Sequence, residues 1–146
     1  MITQTLIPTA QQTDMHFFTI LRRILIIGSR ELLDRAVTRL LMIRADLEVI
    51  PADDSNLNDL ALKAAQLHPD VIILCHTEPS LQDGLVALLD CIPSLADLRI
   101  IIVHPLNNKL DVYHRHHWVS ADHVEFFPLV YGENPGTLKQ LVYEAA

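Results

Sequence analysis

The chain has 146 residues, half of them hydrophobic, and a formal net charge of −7, values that fit one domain with a single sizeable core. Its 11 Lys and Arg against 18 Asp and Glu exclude nonspecific attachment to nucleic acid or to an anionic membrane, which needs clustered cations. The only cysteines, Cys75 and Cys91, make no disulfide framework, and a reducing cytoplasm is the expected compartment.

Residues 1–16 read as a flexible polar leader without a signal-peptide pattern, and residues 17–146 as the folded domain. The run from Phe17 to Ile27 is broken by Arg22 and Arg23 and is too short to span a bilayer. Ile24 to Ile27 is uniformly apolar, as a parallel strand buried on both faces requires. Gly28 and Ser29 end it, Ser29 serves as N-cap with Glu31 in the first turn, and Leu33, Val37, Leu40 and Leu41 line a helix. Leu47 to Ile50 predicts a second strand stopped by Pro51, followed by a turn over Asp53 to Asn58. The next helix carries Leu57, Leu60, Ala61, Ala64 and Leu67 and is broken by Pro69. Val71 to Leu74 predicts a third strand, Leu85 to Cys91 a third helix, and Ile100 to Val103 a fourth strand ending at His104 and Pro105. The pattern then predicts a helix over Leu110 to Val119, a fifth strand over Val124 to Phe127 and a last helix over Thr137 to Tyr143. Five βα units imply an α/β, flavodoxin-like, doubly wound parallel sheet of order 2-1-3-4-5, with helices on both faces and a site beyond the carboxyl ends of the strands. No dinucleotide fingerprint and no Walker A loop is present, so no nucleotide cofactor is expected.

The strand and helix RILIIGSRELLDRAVTRLL (Arg23 to Leu41), the strand PDVIILCHTEP (Pro69 to Pro79) and the tail SADHVEFFP (Ser120 to Pro128) resemble the receiver domains of response regulators. The resemblance covers Arg22 to Tyr143. Its most specific stretch, ELLDRAVTRLLMIRADLEVI (Glu31 to Ile50), is similar to receivers that precede helix-turn-helix output domains. Asp83-Gly84 arrives one residue later than in that family, whereas the spacing of Pro79 and the place of Pro128 fit it.

The resemblance implies a CheY-like fold whose phosphorylation pocket is degenerate. Gly28 and Ser29 stand where the family holds two acidic Mg²⁺ ligands. Cys75 stands at the phosphoryl-accepting aspartate, His104 at a Thr or Ser, and Phe127 at the lysine. Acyl-phosphate formation needs a carboxylate nucleophile, a divalent cation and a cation for the product. Asp53, Asp54 or Glu78 are the acidic residues that remain as substitutes. The implied role is that of a non-phosphorylatable pseudo-receiver rather than an enzyme. It would be an interaction module in a two-component phosphorelay or in transcription regulation, with no cofactor, no membrane and no direct nucleic-acid contact. Its partner would be another protein or a second copy. The expected face is the fourth helix, fifth strand and fifth helix, which would carry Tyr113, Trp118, Tyr131 and Tyr143.

Other chemistry is compatible with the same residues. Cys75, His76 and His104 at adjacent strand ends offer a metal, redox or effector sensor. The plainer account makes Cys75 a small apolar side chain filling the space of the lost aspartate. On a helix, His114 and His117 would share a face with Asp111 one turn earlier, a second metal or pH-sensing arrangement, or simply a solvated face. Ser29 lacks the flanking glycines of a nucleophile elbow.

Overall fold

Apolar runs closed by a small or polar residue become the parallel strands of the sheet. The computed structural model describes residues 21–28, 32–53, 57–75, 79–104 and 107–136. In chain order these form β1 (Arg22–Gly28), α1 (Leu32–Met42), β2 (Leu47–Asp53), α2 (Leu57–Leu67), β3 (Val71–Leu74) and α3 (Pro79–Asp90). Then follow β4 (Arg99–Val103), β5 (Lys109–His114), β6 (His117–Asp122) and the short α4 (Phe126–Val130). Single 3₁₀ turns occupy Pro93–Leu95 and His123–Glu125.

The sheet has six strands in the order β2-β1-β3-β4-β5-β6. β2, β1, β3 and β4 are parallel, while β5 and β6 join β4 as an antiparallel hairpin. The expected five-stranded parallel sheet of order 2-1-3-4-5 is therefore overturned: it is a mixed sheet, and the segment expected as a fourth crossover helix is the hairpin. Two cores result. One face of the sheet packs Ile24, Ile26, Ile73, Ile101 and Val112 against Val37 and Leu41 of α1 and Phe126 and Leu129 of α4. The other packs Leu25, Ile27, Ile72, Ile100, Ile102 and Tyr113 against Leu60 and Ala64 of α2 and Leu85 and Leu89 of α3. Leu40, expected on the buried stripe of α1, is 43% exposed because the i, i+4 row through Leu33, Val37 and Leu41 faces the sheet instead.

The hairpin explains why residues Leu110–Val119 are not helical. Leu110 and Val112 bury against one core and Tyr113 against the other, a period of two that adds a strand to β4. The turn is Arg115-His116, with φ of 54° and 69°, left-handed at both positions as a tight two-residue hairpin demands. Neither residue belongs to the Asn-Gly or Asp-Gly pairs that announce such a turn in sequence. The expected fifth strand, Val124–Phe127, is likewise helical. Asp122 and Glu125 form a reciprocal capping box, with the Asp122 N–H donating to Glu125 Oε2 at 3.1 Å. Glu125 Oε1 also accepts from the Gly136 N–H at 2.6 Å.

The leader, Ser29, Asp54, His76, Glu78 and the helix expected over Thr137 to Tyr143 lie outside the described residues. Among the described residues no helix is long and apolar enough to cross a membrane.

Candidate functional site

In a doubly wound sheet the crevice opens where the strand order reverses, here between β1 and β3, and Gly28 and Cys75 flank it. β1 and β3 stay in register to their ends, and the Cys75 N–H continues the ladder by donating to Ile27 O at 3.0 Å. The first turn of α1 leans over this point. A Cβ at Gly28 would lie 2.5 Å from Asp34 Oδ2 and 2.6 Å from both Asp34 Cβ and Cγ. Glycine at position 28 thus makes the seat for the Asp34 carboxylate. Beside it, a pocket of about 220 Å³ is lined by Ile26, Gly28, Asp34, Thr38, Pro51, Ala52 and Lys63.

Cys75 is half-buried and packs against the α1 core. Burial first, and the nearby Asp34 carboxylate second, push its thiol up to about 12. A thiol held protonated is neither a nucleophile nor a metal ligand at neutral pH. Labelling with iodoacetamide at pH 8 is expected to modify exposed Cys91 rapidly and Cys75 at least about a hundredfold more slowly. Equal rates by peptide mass mapping would contradict this. The folded thiol keeps its proton above pH 9, where an unfolded one releases it. Cys75 therefore withdraws stability as pH rises from about 9 to about 12, and Cys75→Ala is expected to flatten that decline.

His104 does not complete a site with Cys75. Cys75 lies on the face of Ile73 and Ile101, whereas His104 Nε2 contacts Asp111 Oδ2 at 2.7 Å, and Asp111 sits across from Ile102 on the opposite face. Asp111 Oδ1 accepts from Ser120 Oγ at 3.3 Å, so the imidazole is tied to the hairpin. Among the described residues no group of three or more His, Cys, Asp or Glu can hold a metal ion. His114 and His117, expected one helical turn apart, are instead the closing pair of the hairpin. His114 Nδ1 lies 3.4 Å from Arg99 Nη2. Burial, then Arg99 and Arg115, lower its pKa, an environment that repels a further cation.

The remaining predicted positions are dispersed. Phe127, expected at the tip of a fifth strand, is in α4, with the Arg44 guanidinium 4.0 Å over its ring. Tyr131 follows α4 and donates to Asp46 Oδ1 at 2.8 Å. Tyr113 donates to Asp90 at 3.1 Å and packs its ring 5.1 Å from Trp118 across the hairpin. The face of fourth helix, fifth strand and fifth helix is therefore not what gathers these aromatics: Tyr113 and Trp118 are hairpin neighbours, and Tyr143 lies outside the described residues.

Sequence reasoning missed two residues here. Asp34 is the carboxylate at the crevice, although Asp53 ends β2 and was the nearer candidate in sequence. Its signal was an acidic residue in the first turn of a helix that follows a strand ending in glycine. Arg99 is the other, a charged residue only 3% exposed that opens β4. No family model, curated protein or solved structure matches this chain.

Proposed function

We propose that this chain is a pseudo-receiver, a receiver-like domain that signals by docking to protein in two-component or transcriptional control without a phosphorylation cycle. The observation that carries this reading is the state of the switch-point crevice. Where phosphoryl transfer needs an ionised carboxylate on the third strand, it has a thiol pushed up to about 12. Among the described residues the carboxylate beside that thiol is Asp34, seated on Gly28 from the side of α1. A single carboxylate does not make a divalent-cation site, and a half-buried protonated thiol cannot carry a phosphoryl group as an acyl phosphate.

The resemblance runs through β1, α1, β2, α2 and β3, and the chain departs from it after β4, where the hairpin replaces a βα unit. That departure takes away the usual lysine-bearing strand and puts β6 at the end of the strand order. The module acts in the cytoplasm, in keeping with one half-buried and one exposed free cysteine. Its acidic balance favours protein over nucleic acid as partner. No observation favours the sensor alternative at Cys75, His76 and His104, because Cys75 and His104 occupy opposite faces.

The test is intact-mass spectrometry after incubation with acetyl phosphate and Mg²⁺, beside a conventional receiver. The expected result is no phosphoryl adduct on this chain and a clear one on the control. An adduct would overturn the proposal, and Asp34 would be the first residue to map.

A further inference from the structure

We propose that the outer edge of β6 pairs antiparallel with the same edge of a second copy, joining two six-stranded sheets into one. The inference deepens the docking reading and rests on it for its role, while its geometry comes from the edge strand alone.

The two edges of the sheet are treated differently. β2, at one end, carries Pro51 in its length, and its Glu48 is engaged by Arg23 at 3.0 Å. Proline and charge are the usual means by which an edge is closed to other strands. β6, at the other end, has no Pro, Lys, Asp or Glu from His117 to Ala121. It exposes Trp118 at 44% and Val119 at 46%, one on each side of the strand.

The hydrogen-bond alternation of the hairpin identifies which backbone groups face outward. His114 and His117 close a two-residue turn, so they exchange bonds, and every second residue from His117 bonds inward to β5. The His123 N–H donating to Asn108 O at 2.8 Å continues that set. Trp118, Ser120 and Asp122 therefore turn their N–H groups outward. The one on Asp122 is already taken by Glu125, so among the described residues it is Trp118 and Ser120 that have an edge to offer.

A twofold axis normal to the sheet keeps each face on its own side, so the axis must pass beside a single residue of β6. An axis at Ser120 would set Trp118 opposite the second copy's Asp122, whose donor is occupied. An axis at Val119 sets Trp118 opposite the second copy's Ser120 and uses all the open groups of both strands. In that register the two Val119 side chains meet in a non-hydrogen-bonded pair with Cα atoms about 4.5 Å apart. The bulky indole, already packed at a tilt against the Tyr113 ring, lies beside the small Ser120 side chain of the second copy. At each end the register sets His116 opposite the second copy's Asp122. Pairing β6 to β2 would build an open fibre, and Pro51 stands against it.

The full chain is expected to be a reversible dimer by sedimentation velocity across the micromolar range. Val119→Lys is expected to make it monomeric with an unchanged circular dichroism spectrum. In a Cys91→Ser background, Val119→Cys is expected to form a disulfide-linked dimer under mild oxidation, whereas Ser120→Cys links at least about tenfold more slowly. A chain that stays monomeric at high micromolar concentration overturns the inference. So does a dimer that survives Val119→Lys and gives no Val119→Cys cross-link. A monomer would leave the docking reading standing on its phosphorylation test, and a phosphoryl adduct on a β6-paired dimer would sink that reading alone.

Discussion

Arg99→Met is expected to destabilise the domain by about 2–4 kcal/mol and to lower Tm by about 10 °C. The guanidinium opens β4 on the α4 face of the sheet and is only 3% exposed. Its Nη1 donates to Leu129 O at 3.0 Å and also to Glu133 O, closing the carboxyl end of α4. Arg22, on β1, donates through Nε to Val130 O beside it. The Leu129 carbonyl also accepts the Gly132 N–H at 3.1 Å, and the three carbonyls gather the negative end of the peptide dipoles where two cations can meet them. Methionine fills a similar volume, yet the Leu129 and Glu133 carbonyls lose their charged donor, and the loss of these charge-assisted bonds sets the cost. Arg99→Lys is expected to recover less than half, because the ammonium sits on a shorter stem and lacks the planar pair of nitrogens, of which Nη1 reaches both carbonyls and Nη2 lies beside His114 Nδ1. A chemical denaturation series measures the loss. A second signature separates this account from a simple packing defect. The pKa of His114 is lowered by burial and then by Arg99 and Arg115, so in Arg99→Met it is expected to rise in an NMR titration. A variant that loses no stability, or whose His114 titrates as before, would contradict the assigned contacts.

Gly28→Ala is expected to cost about 1–3 kcal/mol, although alanine suits a strand better than glycine. The added Cβ would meet Asp34 Cβ and Cγ at 2.6 Å as well as Oδ2 at 2.5 Å. Rotating the carboxylate away cannot relieve the contact with Asp34 Cβ, so α1 must shift against β1. The partner substitution that removes every one of these contacts is Asp34→Gly, which carries its own helix cost of about 1 kcal/mol. In the Asp34→Gly background Gly28→Ala is expected to be nearly free, and in the Asp34→Ala background to keep an intermediate cost, since that Cβ remains. A double-mutant cycle reads the coupling directly. Additive effects would mean that Asp34 is not seated on Gly28. The same contact bears on function, because it is what places a carboxylate beside Cys75.

The crevice shows where sequence reading succeeds and where it stops. That Gly28 and Cys75 end adjacent strands followed from two continuous apolar runs, each terminated within a residue. That Asp34 comes back over Gly28 did not follow, since it depends on how closely α1 packs on β1, and the acidic residues at the end of β2 were equally eligible by spacing. His104 shows the same limit. Its place at the end of β4 was legible, but its partner Asp111 arrives on a strand that the pattern presented as a helix.

By itself the sequence determined the four parallel strands, because runs such as Ile24–Ile27 and Ile100–Val103 are apolar at every position and only a doubly covered strand buries every side chain. The Asp122 and Glu125 pair that starts the turn before α4 is also a local signal, but the apolar run behind it reads as a strand, and the sequence alone predicts one there. Only the tertiary structure decided the course of Leu110–Val119. Leu110, Tyr113 and the histidines satisfy helical spacing as well as alternation, and Arg115-His116 carries no turn signature. Pairing with β4 settles it by burying Val112 on one core and Tyr113 on the other, and that burial outweighs about 1–2 kcal/mol for each left-handed residue of the turn. The long-range ladder therefore produces both the mixed sheet and the place of β6 at the end of its strand order.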